Sequence, residues 1–116
     1  MKRLLIIALL AAPPALAISP EAQEFIELSE KLAPVHCEKR KLTRDIAVAE
    51  AERDADRAKA LRAEFDVLAR DKQTAALEKR LLQLEPRIVD KEGKARRPED
   101  LDAINLKRRE AFYRCK

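Results

Sequence analysis

Few side chains in this sequence can do chemistry: two cysteines, Cys37 and Cys115, one histidine, His36, and two serines, Ser19 and Ser29. A metal site would need both cysteines and two further ligands. His36 is the only imidazole, and adjacent residues such as His36 and Cys37 cannot easily face one ion. The chain has no Cys-x-x-Cys for thiol redox work, no C-x-x-C-H for haem attachment and no His-x-x-x-His. A disulfide between Cys37 and Cys115 within one chain is the favoured reading; an intermolecular bridge, free thiols and metal ligation are the alternatives. Ser19 and Ser29 stand in no triad-like spacing with His36, which reads as a structural or capping histidine at a helix junction. The carboxylates are mostly interleaved with Lys or Arg, the pattern of salt-bridged faces rather than of a proton-sharing pair. The basic run Lys107-Arg108-Arg109 can in principle hold an anion, but it also suits the negative end of a helix. No catalytic residue, metal or cofactor is expected, and the chain reads as a non-enzyme.

The elements that must position these residues are helical. The chain has 116 residues, 40% charged and 47% hydrophobic, with a single glycine, which admits one small domain and excludes phosphate-cradling loops and turn-dense β architectures. Lys and Arg number 25 against 21 Asp and Glu, a net charge of +4.

The start of the chain supplies an address. Met1-Lys2-Arg3 is basic, Leu4 to Ala12 is unbroken apolar sequence, Pro13-Pro14 breaks any helix, and Ala15-Leu16-Ala17 offers small residues to a signal peptidase. Residues 1–17 are expected to be a secretory signal cleaved between Ala17 and Ile18; the apolar run is too short to span a bilayer, which takes about 20 residues. The remaining domain, 18–116, loses Lys2 and Arg3 and no acid, so its net charge falls from +4 to +2. The residue directly after the cleavage site is Ile18 and not a cysteine, so no lipid anchor is expected, and nothing later is apolar enough to span a membrane. The expected protein is exported and soluble, periplasmic or secreted, with no nucleic-acid partner.

Ser19-Pro20-Glu21 is a helix start: a capping hydroxyl, a proline where its missing N–H costs nothing, and an acid at the positive helix end. Ala22, Phe25, Ser29 and Leu32 then recur at helical spacing until Pro34, where a stop or kink is expected. From Glu38 to Glu85 there is neither Gly nor Pro. The apolar face runs Leu42, Ile46, Ala49, thins to Ala51, Ala55 and Ala58, and recovers at Leu61, Phe65 and Leu68 before Leu77, Leu81, Leu84 and Ile88. Pro86 to Pro98 is a break around Asp90-Lys91-Glu92-Gly93, read as a basic surface loop (Lys94, Arg96, Arg97) in preference to a small hairpin. Pro98 opens a last helix with Leu101, Ile104, Arg108, Ala111 and Cys115 on one face.

A length argument links these elements. One straight helix over 38–85 would extend about 70 Å at ~1.5 Å per residue. The return path from Pro86 to Cys115 would then close only with its loop stretched almost fully. The long stretch must therefore bend or reverse, and Arg70–Ala76, where strong apolar positions lapse, is the expected place. The fold expected is all-α: a disulfide-closed antiparallel helical hairpin or small bundle with coiled-coil-like packing, the acidic first helix and basic last helix meeting at the disulfide end. The function expected is binding to an unidentified protein partner, as an adaptor, inhibitor or subunit of an envelope or secreted complex. A periplasmic holdase-type chaperone and a structural spacer are the alternatives, and a homodimer is compatible with all three. The candidate partner face is Ala51, Ala55 and Ala58, where small side chains let a second helix approach, with the loop at Lys94–Arg97 next.

Overall fold

The computed structural model describes residues 17–116, so the expected signal segment 1–17, Ala17 apart, lies outside the described residues. Four helices follow in order: α1 (Pro20–Ala51), α2 (Ala55–Ala69), α3 (Lys72–Ile88) and α4 (Pro98–Arg114). The fold is all-α, and its helices pack against one another. Helix α1 is the spine: α2, α3 and α4 all pack on it, whereas α2 and α3, which follow one another, touch little.

The start of α1 is as the residues dictate, with the Ser19 Oγ accepting from the Ala22 N–H at 3.1 Å and Pro20 in the first turn. The stop or kink expected at Pro34 is not an end: α1 continues through Pro34 for 17 further residues. An internal proline costs about 3 kcal/mol in a helix. Here Pro34 and Glu30 are both exposed, so water can serve the carbonyl that loses its N–H partner. Leu32 and Leu42, buried on either side, keep the axis committed to one packing surface. Pro86 is likewise exposed inside α3, which runs three residues beyond Glu85, to Ile88.

The chain reverses at Glu52–Asp54, not at Arg70–Ala76. Arg53 adopts a left-handed conformation (φ 58°), the Asp54 N–H reaches back to the Ala49 carbonyl at 2.8 Å, and the Arg53 N–H to Glu50 at 3.1 Å. This is the bond pattern of a helix stop that normally uses glycine. Asp54 then caps α2 by accepting from the Arg57 N–H at 3.1 Å. The Arg70–Asp71 position holds a second, gentler interruption, where Asp71 accepts from the Thr74 N–H at 2.8 Å and starts α3. An L-residue in the left-handed region costs about 1–2 kcal/mol, against a glycine entropy cost of about 0.5–1 kcal/mol. Arg53→Gly is therefore expected to raise stability by about 0.5–1 kcal/mol, read as a melting temperature several degrees higher. A lower melting temperature would show that the Arg53 side chain, not its backbone, matters at this turn.

The core lies where three helices meet: Ala22, Phe25 and Leu28 of α1, Leu84 and Ile88 of α3, and Ile104 of α4 are buried together. Ile18, Leu77, Leu81, Val89 and Leu101 pack around them. Toward its C-terminal end α1 packs on α2, where Leu42, Ala49 and Ala58 are buried and Ile46 and Phe65 half-buried.

The segment from Val89 to Ala95 is the small hairpin rather than an open loop. Val89 and Ala95 form an antiparallel bridge, the Asp90 N–H donates to the Lys94 carbonyl at 2.8 Å, and the Asp90 carboxylate accepts from the Glu92 and Lys94 N–H groups at 2.9 Å. Gly93 takes the positive φ of 82° that this turn requires.

Because α4 runs parallel to α1, Glu21 and Glu24 lie away from the basic end of α4, whereas Glu27 and Glu30 share a groove with Lys107 without forming an ion pair with it. Glu24 and Glu21 instead pair with Arg80 and Arg87 of the antiparallel α3. The Arg80–Glu24 pair is bidentate, at 2.6 and 2.8 Å, and it holds the Glu24 carboxyl below its ordinary value. Asp71 is held down in the same direction by the Thr74 N–H and hydroxyl. Both groups stay charged in the folded chain at a pH where the unfolded chain begins to protonate, so their contribution is complete above the usual carboxylate range near pH 4 and fades as pH falls through the folded values. Stability should accordingly decline on acidification, and Glu24→Gln should flatten that decline. Parallel acid limbs for the two proteins would exclude Glu24 as a contributor.

Candidate functional site

The Cys37–Cys115 disulfide joins the middle of α1 to the end of α4, with the two Cα atoms 5.5 Å apart, inside the ordinary range. The bridge brings together two charge runs far apart in sequence. Residues 38–45 and 107–116 carry nine Lys and Arg and three Asp and Glu, a net of +6, whereas residues 18–116 total +2. The rest of the domain is therefore at −4, and the molecule is strongly polarised. Two aromatic rings crown the basic end: Phe112 is 59% and Tyr113 73% exposed, edge to face with centroids 5.6 Å apart.

Most cations here have no carboxylate partner. Lys107 lies 3.6 Å from Glu110 and Arg44 lies 3.7 Å from Asp45. Among the described residues Arg40, Lys41, Arg108, Arg109, Arg114 and Lys116 make no ion pair. Arg40 lies over the Phe112 ring and Arg108 over Phe25, each 5.2 Å from the centroid. A cation over a ring face leaves its N–H edges available for an anion.

Between these side chains runs a groove of about 370 Å³. Half-buried Ala33, Leu81 and Ala111 give it an apolar floor, and exposed Arg40, Lys107, Arg108 and Phe112 line its rim. Ser29 and Glu30 stand at one end, and His36, whose Nε2 is 3.0 Å from the Glu78 Oε2, lies along the wall. Helical periodicity explains the arrangement, because residues 29, 33, 36 and 40 share one face of α1 and 108, 111 and 115 share one face of α4.

The other residues singled out from the sequence are dispersed. Ala51 ends α1 and Ala55 begins α2, both exposed, while Ala58 is 2% exposed. The continuous helix on which these alanines would form one face is interrupted at Glu52–Asp54, and α1 and α2 close upon each other beside it. A second groove of about 430 Å³ lies along that α1–α2 seam at Ile46, Ala47 and Phe65, with the Arg62–Glu50 ion pair at its edge. In the hairpin, the Arg96 Nε donates to the Pro86 carbonyl at 2.6 Å, and Arg97 lies 3.2 Å from Glu99 and 3.9 Å from Asp100. Lys94 is exposed. Ala17 is exposed, while Ile18 is half-buried against the core. Among the described residues no group of three or more His, Cys, Asp or Glu side chains is placed to hold a metal ion, and no helix is long and apolar enough to cross a membrane.

Sequence reasoning weighed Lys107–Arg109 alone and overlooked Lys39–Arg44. The missed signal was present in the two cysteines: once Cys37 and Cys115 are bonded, the basic runs flanking each must share one surface. Fold and surface together define a class, an all-α bundle closed by a long-range disulfide and bearing a basic, aromatic-capped end. Comparisons with protein-family models, curated proteins and solved structures give no significant match, so the chemistry of this surface has to be read from its own residues.

Proposed function

We propose that the chain is an exported helical protein that acts by binding another protein through its disulfide-linked end. One observation carries the reading: unpaired cations and two exposed aromatic rings are gathered on one rigidly crosslinked surface. Exposed aromatics beside arginine are the composition of interface hot spots, and a solvent-exposed Phe and Tyr add nothing to the core of their own chain. The long-range disulfide supports an oxidising compartment, in keeping with the secretory signal read in residues 1–17. The alanine stretch is the weaker candidate, because Ala58 is already covered by its own chain.

The test is site-specific photocrosslinking in the native host, with the photoreactive residue at Tyr113 and, for comparison, at Ala55. The expected result is a discrete adduct from position 113 alone. An adduct only from position 55 would move the site to the alanine stretch, and a smear of unrelated adducts would favour the holdase. Absence of any adduct would overturn the binding reading.

A further inference from the structure

We infer that the groove between α1 and α4 is a receptor for an acidic, amphipathic segment of the partner, one that presents carboxylates to Arg40 and Arg108 and an apolar side chain to the floor between them. This rests on the binding reading just given and names the chemistry of the partner. Arg40 and Arg108 approach from different helices and bracket the same cleft. Each guanidinium carbon lies 5.2 Å from an aromatic centroid, Arg40 over Phe112 and Arg108 over Phe25, a contact that leaves the N–H edge free to donate. A carboxylate accepts two parallel bonds from such an edge, the strongest common pairing of a charged peptide group. Lys107 also lines the rim, with Glu110 3.6 Å from it.

The floor specifies the rest of the ligand. Ala33 and Ala111 are small, so they leave space rather than fill it, and Leu81 closes the bottom with apolar surface. An occupant that was only charged would leave this surface wet; one that was only apolar would strand the guanidinium edges. From Ser29 to Arg40 the α1 wall is about 16 Å long at ~1.5 Å rise per residue, room for about three turns of a helix. The concavity of the cleft, lying between helices, suits a peptide and not the plane of a bilayer.

Fluorescence anisotropy tests this with the processed, disulfide-bonded protein and three labelled probe peptides of one amphipathic Leu/Ala pattern, bearing Glu, Gln or Lys at the polar positions. The Glu peptide should bind at least about tenfold more tightly than the Gln peptide, which is the size expected of one charge-assisted pair, and the Lys peptide should not bind. Arg40→Gln with Arg108→Gln should weaken the Glu peptide by about tenfold or more, while Arg96→Gln with Arg97→Gln should leave it unchanged. Because Arg108 covers the Phe25 ring, the melting temperature of each variant is measured alongside; if the double variant is destabilised, Arg40→Gln alone and the three-peptide series decide the matter. Equal binding of the Glu and Gln peptides would overturn the proposal. So would unchanged binding by the folded variants, or sedimentation with phosphatidylglycerol vesicles in the absence of peptide binding. Self-association that Arg40→Gln abolishes, without peptide binding, would assign the groove to a second copy instead. A discrete Tyr113 adduct without preference for the acidic peptide removes this assignment and leaves the binding reading standing; failure of both experiments removes both.

Discussion

Replacing both cysteines, as Cys37→Ser with Cys115→Ser, is expected to lower stability by about 3–4.5 kcal/mol and the melting temperature by about 15 °C or more. The bridge closes a separation of 78 residues. Closing a loop of that length removes about 4.5 kcal/mol of chain entropy from the unfolded state in the entropic model. The folded chain has little to replace it near the bond. Helix α4 is anchored at its start by Asp100, Leu101 and Ile104, whereas residues 105–110 and 112–114 are exposed. Its last two turns are thus held to α1 by the covalent bond, the half-buried Ala111 and the cation–ring contacts of Arg40 with Phe112 and Arg108 with Phe25. The loss should be localised as well as large: amide hydrogens of residues 108–114 should exchange much faster in the variant, while those of α1 at the core change little. The double variant avoids a stranded thiol, and reductant added to the native protein should reproduce its denaturation curve. A change under about 1 kcal/mol would mean that the reduced chain already keeps its two ends together, in which case α4 docks by side-chain packing alone. The same splaying would separate Arg40 from Arg108, so the acidic peptide should also be lost.

The sequence exposes helices well and their ends unevenly. Ser19, Pro20 and Pro98 mark starts through local chemistry, which needs no partner, and the helical periodicity of Ala22, Phe25 and Leu32 marks a face, on which Leu28 is buried and Ser29 only half-buried. Neither Pro34 nor Pro86 ends its helix, because the cost of a proline within a helix is judged locally while its compensation comes from buried side chains on both sides, Leu32 and Leu42 about Pro34 and Leu84 and Ile88 about Pro86. The reversal at Glu52–Asp54 was hidden for the opposite reason. Its left-handed residue is Arg53, not glycine, so the composition gave no warning and the strain is offset by the packing of Ala49 and Ala58 across the turn. A length argument did require a reversal somewhere before Pro86; the lapse in large apolar residues drew it to Arg70–Ala76, where only the milder Asp71 interruption lies. The basic end of the molecule was legible only jointly, since neither Lys39–Arg44 nor Lys107–Arg109 departs from an ordinary charged helix until the disulfide superimposes them.

Asp100→Ala is expected to cost about 2–4 kcal/mol, the largest effect of any single carboxylate in the chain. From its position in sequence Asp100 is only an acid in the first turn of α4, there to meet the helix dipole. In the fold it is 2% exposed and ties the beginnings of two helices together. Its Oδ1 accepts from the Ser19 N–H at 2.9 Å and its Oδ2 from the Ser19 hydroxyl at 2.6 Å, while that hydroxyl oxygen accepts from the Ala22 N–H. One carboxylate thus organises the cap of α1 from across 81 residues of sequence. Alanine would leave the Ser19 N–H without its partner and free the hydroxyl to turn away from Ala22, so the α1 cap weakens together with the α1–α4 contact. Asp100→Asn keeps the shape and one acceptor oxygen and should recover part of the loss. The decisive measurement is a double-mutant cycle by urea denaturation with Ser19→Ala, whose own loss of a cap is worth about 1 kcal/mol. A coupling energy of about 1 kcal/mol or more establishes the tie, because the hydroxyl–Oδ2 bond is the one that both single variants remove. Additive losses would mean that the Ser19 hydroxyl caps α1 unaided and that Asp100 reaches α1 only through the Ser19 N–H.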